Sequence, residues 1–387
     1  MEAGGEDFTD LQFATLATGI ISSTSINDRR FTVSIKDPRA GLHRSLSLKK
    51  YTTTEFPNLY AGATGGEGAG DVPRPYYYGA VTHTSPVCID TIKRVFELMD
   101  GRITGVSSVV LNGVTLTAAV DYFIDYGKGR IRLAPALTFS TDSDTLTVAF
   151  TGAADASGYA IEHGPAIFLD LLRNFMGLGW DDIDLDSIAE AAAAKTAHLA
   201  VKIYKDTTTQ DVIELLEKSC LAYSYQDQEG RIGFRIETTT APSDVAYIPE
   251  QRIIEIGTDE SIDDLFAQIH VHYDEWPTTQ RYRWIQKDSL VAQWVYGILK
   301  RLDIYTAHTT EANALTLGDA ILAVLNRPAV KITTTRALMP RQVGDMIYVT
   351  RRRFFDLLGT ANKRLMRITS ISKSPGAATV QVTAEVV

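Results

Sequence analysis

Four aspartates crowd together at Asp181, Asp182, Asp184 and Asp186, and carboxylates at such spacing are what a calcium loop uses. A loop of the EF-hand type also needs Gly at its sixth position and Glu at its twelfth. Counted from Asp182, those positions hold Ser187 and Ala193, so the run fails as a calcium site. It reads instead as a helix start, with Asp186 or Ser187 as the cap and the other carboxylates complementing the helix dipole. His270 and His272 stand two apart on an expected strand, point to one face, and can begin a zinc site. Zinc needs further ligands, yet no Cys or His lies nearby and only Asp274 and Glu275 follow. The pair therefore reads as two histidines on a half-exposed strand face. Cys88 has no His or Asn partner in a nucleophile arrangement. Gly-x-Ser-x-Gly, the Walker-A loop, Gly-x-Gly-x-x-Gly after a strand and His-Glu-x-x-His are all absent. A pair of glycosidase carboxylates would arise by chance among 47 acidic residues and carries no weight. These residues give no catalytic, cofactor-binding or metal-binding assignment.

Other residue types point to contact rather than chemistry. Arg351, Arg352 and Arg353 with Phe354 and Phe355 form the one local basic–aromatic cluster. As a loop after a strand it could touch phosphate or a partner's acidic rim; a solvated loop tip is the competing reading. Trp276, Tyr282, Trp284, Trp294 and Tyr296 form an aromatic-rich run. Aromatic side chains dominate interface energetics, so Trp276, Trp284 and Trp294 are candidate subunit contacts, with plain core as the alternative. Tyr76, Tyr77 and Tyr78 close a stretch with five glycines between Gly62 and Gly70, followed by Pro73 and Pro75. That composition predicts a mobile loop with a stiff aromatic exit, which either meets a partner or docks on its own domain.

The elements that must position these residues belong to a globular chain. Of 387 residues, 45% are apolar and 22% charged, and 38 basic against 47 acidic residues leave a net charge of −9. This excludes a disordered chain, a collagen and a disulfide miniprotein. No run approaches 18 apolar residues, so no helix is expected to span a membrane. The acidic N-terminus is not expected to be a secretory signal. Cys88 and Cys220 read as free thiols made in a reducing cytoplasm. The negative charge argues against gripping nucleic-acid backbone.

Four segments are expected. Residues 1–80 hold a hairpin, with Asn27-Asp28 as turn chemistry, and the Gly/Pro-rich linker. Residues 81–151 are a β module with strands every 8–12 residues, including the hairpin signal Asn112-Gly113. Residues 152–249 form an α/β module in the order helix–helix–strand–helix–hairpin, with Thr209 capping the third helix. Residues 250–387 return to β, interrupted by one long helix over EANALTLGDAILAV that Pro328 ends. The fold class is α+β, mainly β, built from small barrel or sandwich modules around an inserted α/β module.

Taken in order, the segments FTVSIKDPRAGLHRSL, VPRPYYYGAV, VSSVVLNGVTL…DYFIDYGKGRIRLA, AIFLDLLRNFMGLGWDDIDLDS, IHVHYDEW and KITTTRALMPRQVGDMIYVTRRR resemble the hub proteins of tailed-bacteriophage and gene-transfer-agent tail tips. The likeness covers residues 30–375 and lies in the order of the segments. It implies a ring-forming structural protein of the virion. Two tube-like barrels per chain in a homotrimer would meet a hexameric tail tube above and a spike or fibre below; a hexamer is the second choice. DNA would pass through an acidic lumen without specific binding. No lysozyme or peptidase module is evident, and the resemblance implies no cofactor and no enzyme activity. Two other readings stay open: a host-surface carbohydrate-binding β-sandwich protein, and a cell-wall hydrolase whose carboxylates are not recognised.

Overall fold

The computed structural model describes residues 20–27, 30–36, 46, 48–60, 72–140, 143–203, 207–227, 229–237, 245–258, 265–276, 281–297, 299–324, 329–338, 340–355, 361–374 and 379–387. The expected Gly62–Gly70 loop, the Asp28 turn position and the Pro328 stop lie outside them.

β1 (Ile20–Asn27) and β2 (Arg30–Lys36) pair as the expected antiparallel hairpin. There follow β3 (Tyr76–Tyr78), β4 (Ala80–Thr84), β5 (Val87–Asp90), β6 (Val95–Glu97), β7 (Ile103–Leu111), β8 (Val114–Thr115), β9 (Tyr122–Asp125), β10 (Arg130–Leu133) and β11 (Leu146–Ala153). β4 to β11 make two four-stranded sheets, ordered β5-β6-β10-β9 and β4-β11-β7-β8. Asn112 (φ 50°) and Gly113 (φ 82°) both take the left-handed conformation that a tight hairpin turn demands, which joins β7 to β8. Along β11, Leu146, Val148 and Phe150 point inward at every second position. Inward residues of both sheets share one core, so this unit is a sandwich.

The middle segment has the expected order: α1 (Gly164–Asp170), α2 (Leu185–Ala194), β12 (Val201–Ile203), α3 (Thr209–Cys220), β13 (Ala222–Gln226) and β14 (Ile232–Ile236). Two caps fall elsewhere than expected. Asp184, rather than Asp186 or Ser187, caps α2, its Oδ1 accepting from the Ser187 N–H at 3.2 Å. Thr208, rather than Thr209, caps α3, and its pairing with Asp211 forms a capping box. Thr208 has the extended backbone a cap needs (φ −91°, ψ 160°), whereas Thr209 is already helical. β12 pairs with β3, tying this segment to the sandwich. One core runs across both, from Leu46 to Ala307.

The last segment contains β15 (Ala246–Ile248), β16 (Ile253–Thr258), β17 (Gln268–Trp276), β18 (Arg281–Asp288), α4 (Leu290–Tyr296), β19 (Arg301–Tyr305), α5 (Glu311–Val324), β20 (Ala329–Thr335), β21 (Met346–Phe355), β22 (Ala361–Ser374) and β23 (Thr379–Val386). α4 is an addition to the single helix expected. Ser289 caps it and Gly297 (φ 67°) ends it, and 7 residues are too few to show helical periodicity. Six strands form one sheet in the order β15-β21-β22-β23-β20-β16. Its edge strands are consecutive in sequence, joined by residues 249–252 with a short 3-10 turn. A flat sheet of six strands would hold its edges about 24 Å apart. Five residues span at most about 18 Å even when extended. The sheet must therefore curl into a barrel-like unit around its own core of Ile248, Ile332, Ile347, Val349, Met366 and Val382. The other three strands make the sheet β18-β17-β19, and Ile269, Val271 and Ile285 on one of its faces pack against Ala314, Leu317 and Ile321 of α5. The chain is thus mainly β with few helices, as the sequence predicts.

Candidate interaction surface and polar clusters

The face of the β18-β17-β19 sheet turned away from α5 carries the richest side-chain chemistry. Strand alternation puts His270 and His272 on it together, as expected. They do not converge as zinc ligands. The His270 ring stacks on Trp284 (centroids 4.6 Å, interplanar angle 10°) and His272 stacks on Tyr305 (4.3 Å, 13°). Tyr282 stands edge-on to Tyr305 at 5.2 Å. His272 Nε2 donates to Asp303 Oδ1 at 3.0 Å, and Arg301 Nε donates to Asp303 Oδ2 at 2.8 Å. These bonds, that of His272 first, hold the Asp303 carboxyl below the usual carboxylate range. Trp284 and Tyr305 remain half exposed, and Trp294 on α4 is 85% exposed. They belong to a wider set of exposed large hydrophobic side chains that includes Tyr159, Trp180 and Leu299.

Beside this face lies a cavity of about 380 Å³ lined by Lys202, Asp274, Glu275, Tyr282, Thr306 and His308, among others. Lys202 Nζ donates to Glu275 Oε2 and to the Glu275 carbonyl, both at 3.1 Å. Burial pulls the Lys202 ammonium below its ordinary range, and Glu275 opposes that shift. Burial, with Glu275 beside it, pushes the Tyr282 hydroxyl up to about 12. The His308 imidazole is pushed down to about 4 by burial. Its Nε2–H donates to the Ser219 carbonyl at 2.9 Å, a bond that opposes the shift without overcoming burial. Lys202, Glu275, Tyr282 and His308 each have a bonding partner within the fold.

A second cluster was invisible to motif reading. Glu162, His163 and His198 each place one ligating atom within 4.8 Å of the others. Glu162-His163 and His198 are 35 positions apart and fit no metal-ligand spacing, so only the bridge between the backbones of His163 and His198 unites them. In the sandwich, Glu97 is fully buried and bonded to Arg74 by two contacts of 2.8 Å and to Arg130 at 3.0 Å.

The remaining sequence candidates are scattered. Tyr77 and Tyr78 are 3% and 0% exposed and Tyr76 is half-buried, so the tyrosine triplet is a strand packed within this chain. The Tyr78 hydroxyl donates to Asp170 at 2.6 Å, and Tyr76 packs edge-on against Phe175. Arg351, Arg352 and Arg353 lie inside β21 rather than in a loop after it, because that strand runs on to Phe355. Trp276 ends β17, paired with Arg281. Cys88 and Cys220 are free and buried, and burial pushes their thiols up to about 11 and about 12, which disfavours the nucleophilic thiolate. Among the described residues no helix is long and apolar enough to cross a membrane.

No family model matches the sequence. No curated protein matches it either. Solved structures do. A chain of the virion of a native gene transfer agent particle superposes with a TM-score of 0.53 at 13% identity, over 89% of this chain and 88% of that one. A tail protein from Neisseria meningitidis MC58 gives a TM-score of 0.39 at 11% identity, over 81% and 91%. The 43 kDa tail protein of prophage MuSo2 from Shewanella oneidensis gives 0.37 at 12%, over 81% and 98%. The chain therefore shares the fold of a chain of a gene-transfer-agent virion over 89% of its length.

Proposed function

We propose that this chain is a structural protein of a phage-type tail and forms the hub of the tail tip. As such it is a ring-forming adaptor between the tail tube and a spike or fibre, it lines the channel through which DNA leaves, and it resides in the virion. The observation that carries the reading is the fold shared with a gene-transfer-agent virion chain over 89% of this one. Three features support it. The chain holds two compact β units, a sandwich and a barrel-like sheet, as two stacked or adjacent ring elements would require. The net charge of −9 suits a lumen that repels phosphate. The exposed aromatics Trp284, Trp294 and Tyr305 suit contacts between subunits. Closed rotational symmetry is the usual outcome when one chain repeats an interface, and three copies, each with two β units, would face a sixfold tube; six copies is the alternative. The role is mechanical, and the purified chain is expected neither to clear peptidoglycan nor to release reducing sugar.

The test is the native mass of the purified chain with an electron-microscopic image. A ring of three or six copies is expected. A chain that stays monomeric at high concentration and occurs once per purified tail would overturn the ring.

The same exposed aromatics favour one second reading, a glycan-binding face, since sugars stack on Trp and Tyr rings. Trp284 and Tyr305 each have one ring face already covered by histidine. Calorimetry with host-surface oligosaccharides separates the two readings: saturable binding lost in W284A supports the glycan reading.

A further inference from the structure

Glu162 and His163 stand where the chain leaves the sandwich and enters α1, and His198 stands three residues before β12. Both backbones are pinned there. Ile161 N–H donates to the Ala153 carbonyl at 2.9 Å, and Leu199 N–H donates to the Glu162 carbonyl at 2.7 Å. Gly164 and Leu199, which flank the cluster, are buried. Three side chains with ligating atoms are thus displayed from two segments that cannot drift apart.

The donor atoms lie within 4.8 Å of one another. A tetrahedral zinc ion with bonds of about 2.0–2.1 Å would set its ligand atoms about 3.3 Å apart. Glu162 Oε1 and His198 Nδ1 are already 2.8 Å apart, and the His198 side chain, 61% exposed, has room to turn. His163 Nδ1 faces the Ala197 carbonyl at 3.4 Å. That contact assigns the proton to Nδ1 and the lone pair to Nε2, the arrangement in which a backbone carbonyl orients a metal-ligating histidine. The two rings are 4.9 Å apart at 55°, so they are not a stacked pair. The Glu162–His198 ion pair accounts for two of the three groups, and His163, held by the Ala197 carbonyl, brings a third ligating side chain to the same place.

We propose that Glu162, His163 and His198 form a binding site for a divalent transition-metal ion of the zinc class. Two imidazoles and one carboxylate are the borderline donors such ions take, whereas calcium and magnesium require oxygen. Three protein ligands leave a fourth position, which water fills. A bound ion would clip the start of α1 to the strand that pairs with β3, holding the sandwich and the middle segment together at one point. The site stands independently of the tail assignment.

The experiment uses the full chain, stripped with a chelator and titrated calorimetrically with Zn²⁺, with Mg²⁺ as control and Co²⁺ as a visible probe. One Zn²⁺ per chain, no Mg²⁺ response and the absorption of four-coordinate Co²⁺ are expected. E162Q, which keeps shape and hydrogen bonding, and H198A, at an exposed position, should each weaken binding at least tenfold. H270A/H272A should bind as wild type. Zn²⁺ should raise the melting temperature of wild type and not of H198A. Absence of binding would overturn the site. So would binding that survives E162Q and H198A, or that is lost in H270A/H272A, since the ion would then sit elsewhere.

Discussion

At the scale of single residues the fold holds two buried charge arrangements that can be tested directly. Glu97 is 0% exposed and accepts from Arg74 and Arg130. Glu97→Gln keeps the shape but removes the carboxylate facing both guanidinium groups. Breaking one side of a buried pair costs about 3–5 kcal/mol, so chemical denaturation should show a loss of that order, at the lower end because Arg74 keeps Asp100 at 2.7 Å. His308 gives a pH dependence. Its folded pKa is about 4 against an ordinary 6.5. Between those values the unfolded chain binds the extra proton, so stability is fully present above about pH 6.5 and is lost as pH falls toward 4. The loss from this group is up to ~3 kcal/mol. Denaturation at pH 7 and at pH 4.5 measures it, and His308→Gln should flatten the difference. Neither arrangement was legible in the sequence, because Arg74, Glu97 and Arg130 are brought together by strand pairing and not by spacing. The same holds for Glu162, His163 and His198, whereas His270 and His272 were placed on one face correctly by period-2 alternation alone.

At the scale of elements, local signals were legible where they are chemically strict. Asn112-Gly113 fixed a turn because two consecutive left-handed residues admit few sequences. The order of helices and strands between 160 and 236 followed from apolar spacing. Caps shifted by a residue or two because Ser, Thr and Asp cluster at helix starts, and only backbone conformation decides which of them stays extended. Thr208 illustrates this: its hydroxyl accepts from the Asp211 N–H at 3.1 Å while the Asp211 carboxylate accepts from the Thr208 N–H at 2.8 Å. Thr208→Ala should therefore destabilise by about 1 kcal/mol, whereas Thr209→Ala should leave this cap intact. Comparing the two melting temperatures tests the assignment. α4 escaped notice because its 7 residues give less than two full turns of pattern, although Ser289 and Gly297 carry its start and stop signals.

At the scale of the whole molecule, curvature and exposure decide what the chain can do, and neither is a local property. Closure of the six-stranded sheet follows from the shortness of the 249–252 link, which means nothing until the strand order is known. Likewise only packing sorts the members of an aromatic-rich run: Tyr282 is half-buried beside the cavity, whereas Trp284 is 54% and Trp294 85% exposed. Trp294 makes the sharper probe of assembly because so little of it is engaged within the chain. Trp294→Ala should leave the melting temperature of the isolated chain nearly unchanged, as surface substitutions do. If the exposed aromatics join subunits, the same change should weaken the ring by about 1–4 kcal/mol, visible as dissociation at concentrations where wild type stays assembled. Trp284→Ala differs in a predictable way: it strips the stacking partner from His270 and should lower both chain stability and association. Sedimentation of the two variants against wild type separates these effects. An assembly that withstands both substitutions would move the subunit contact away from Trp284 and Trp294.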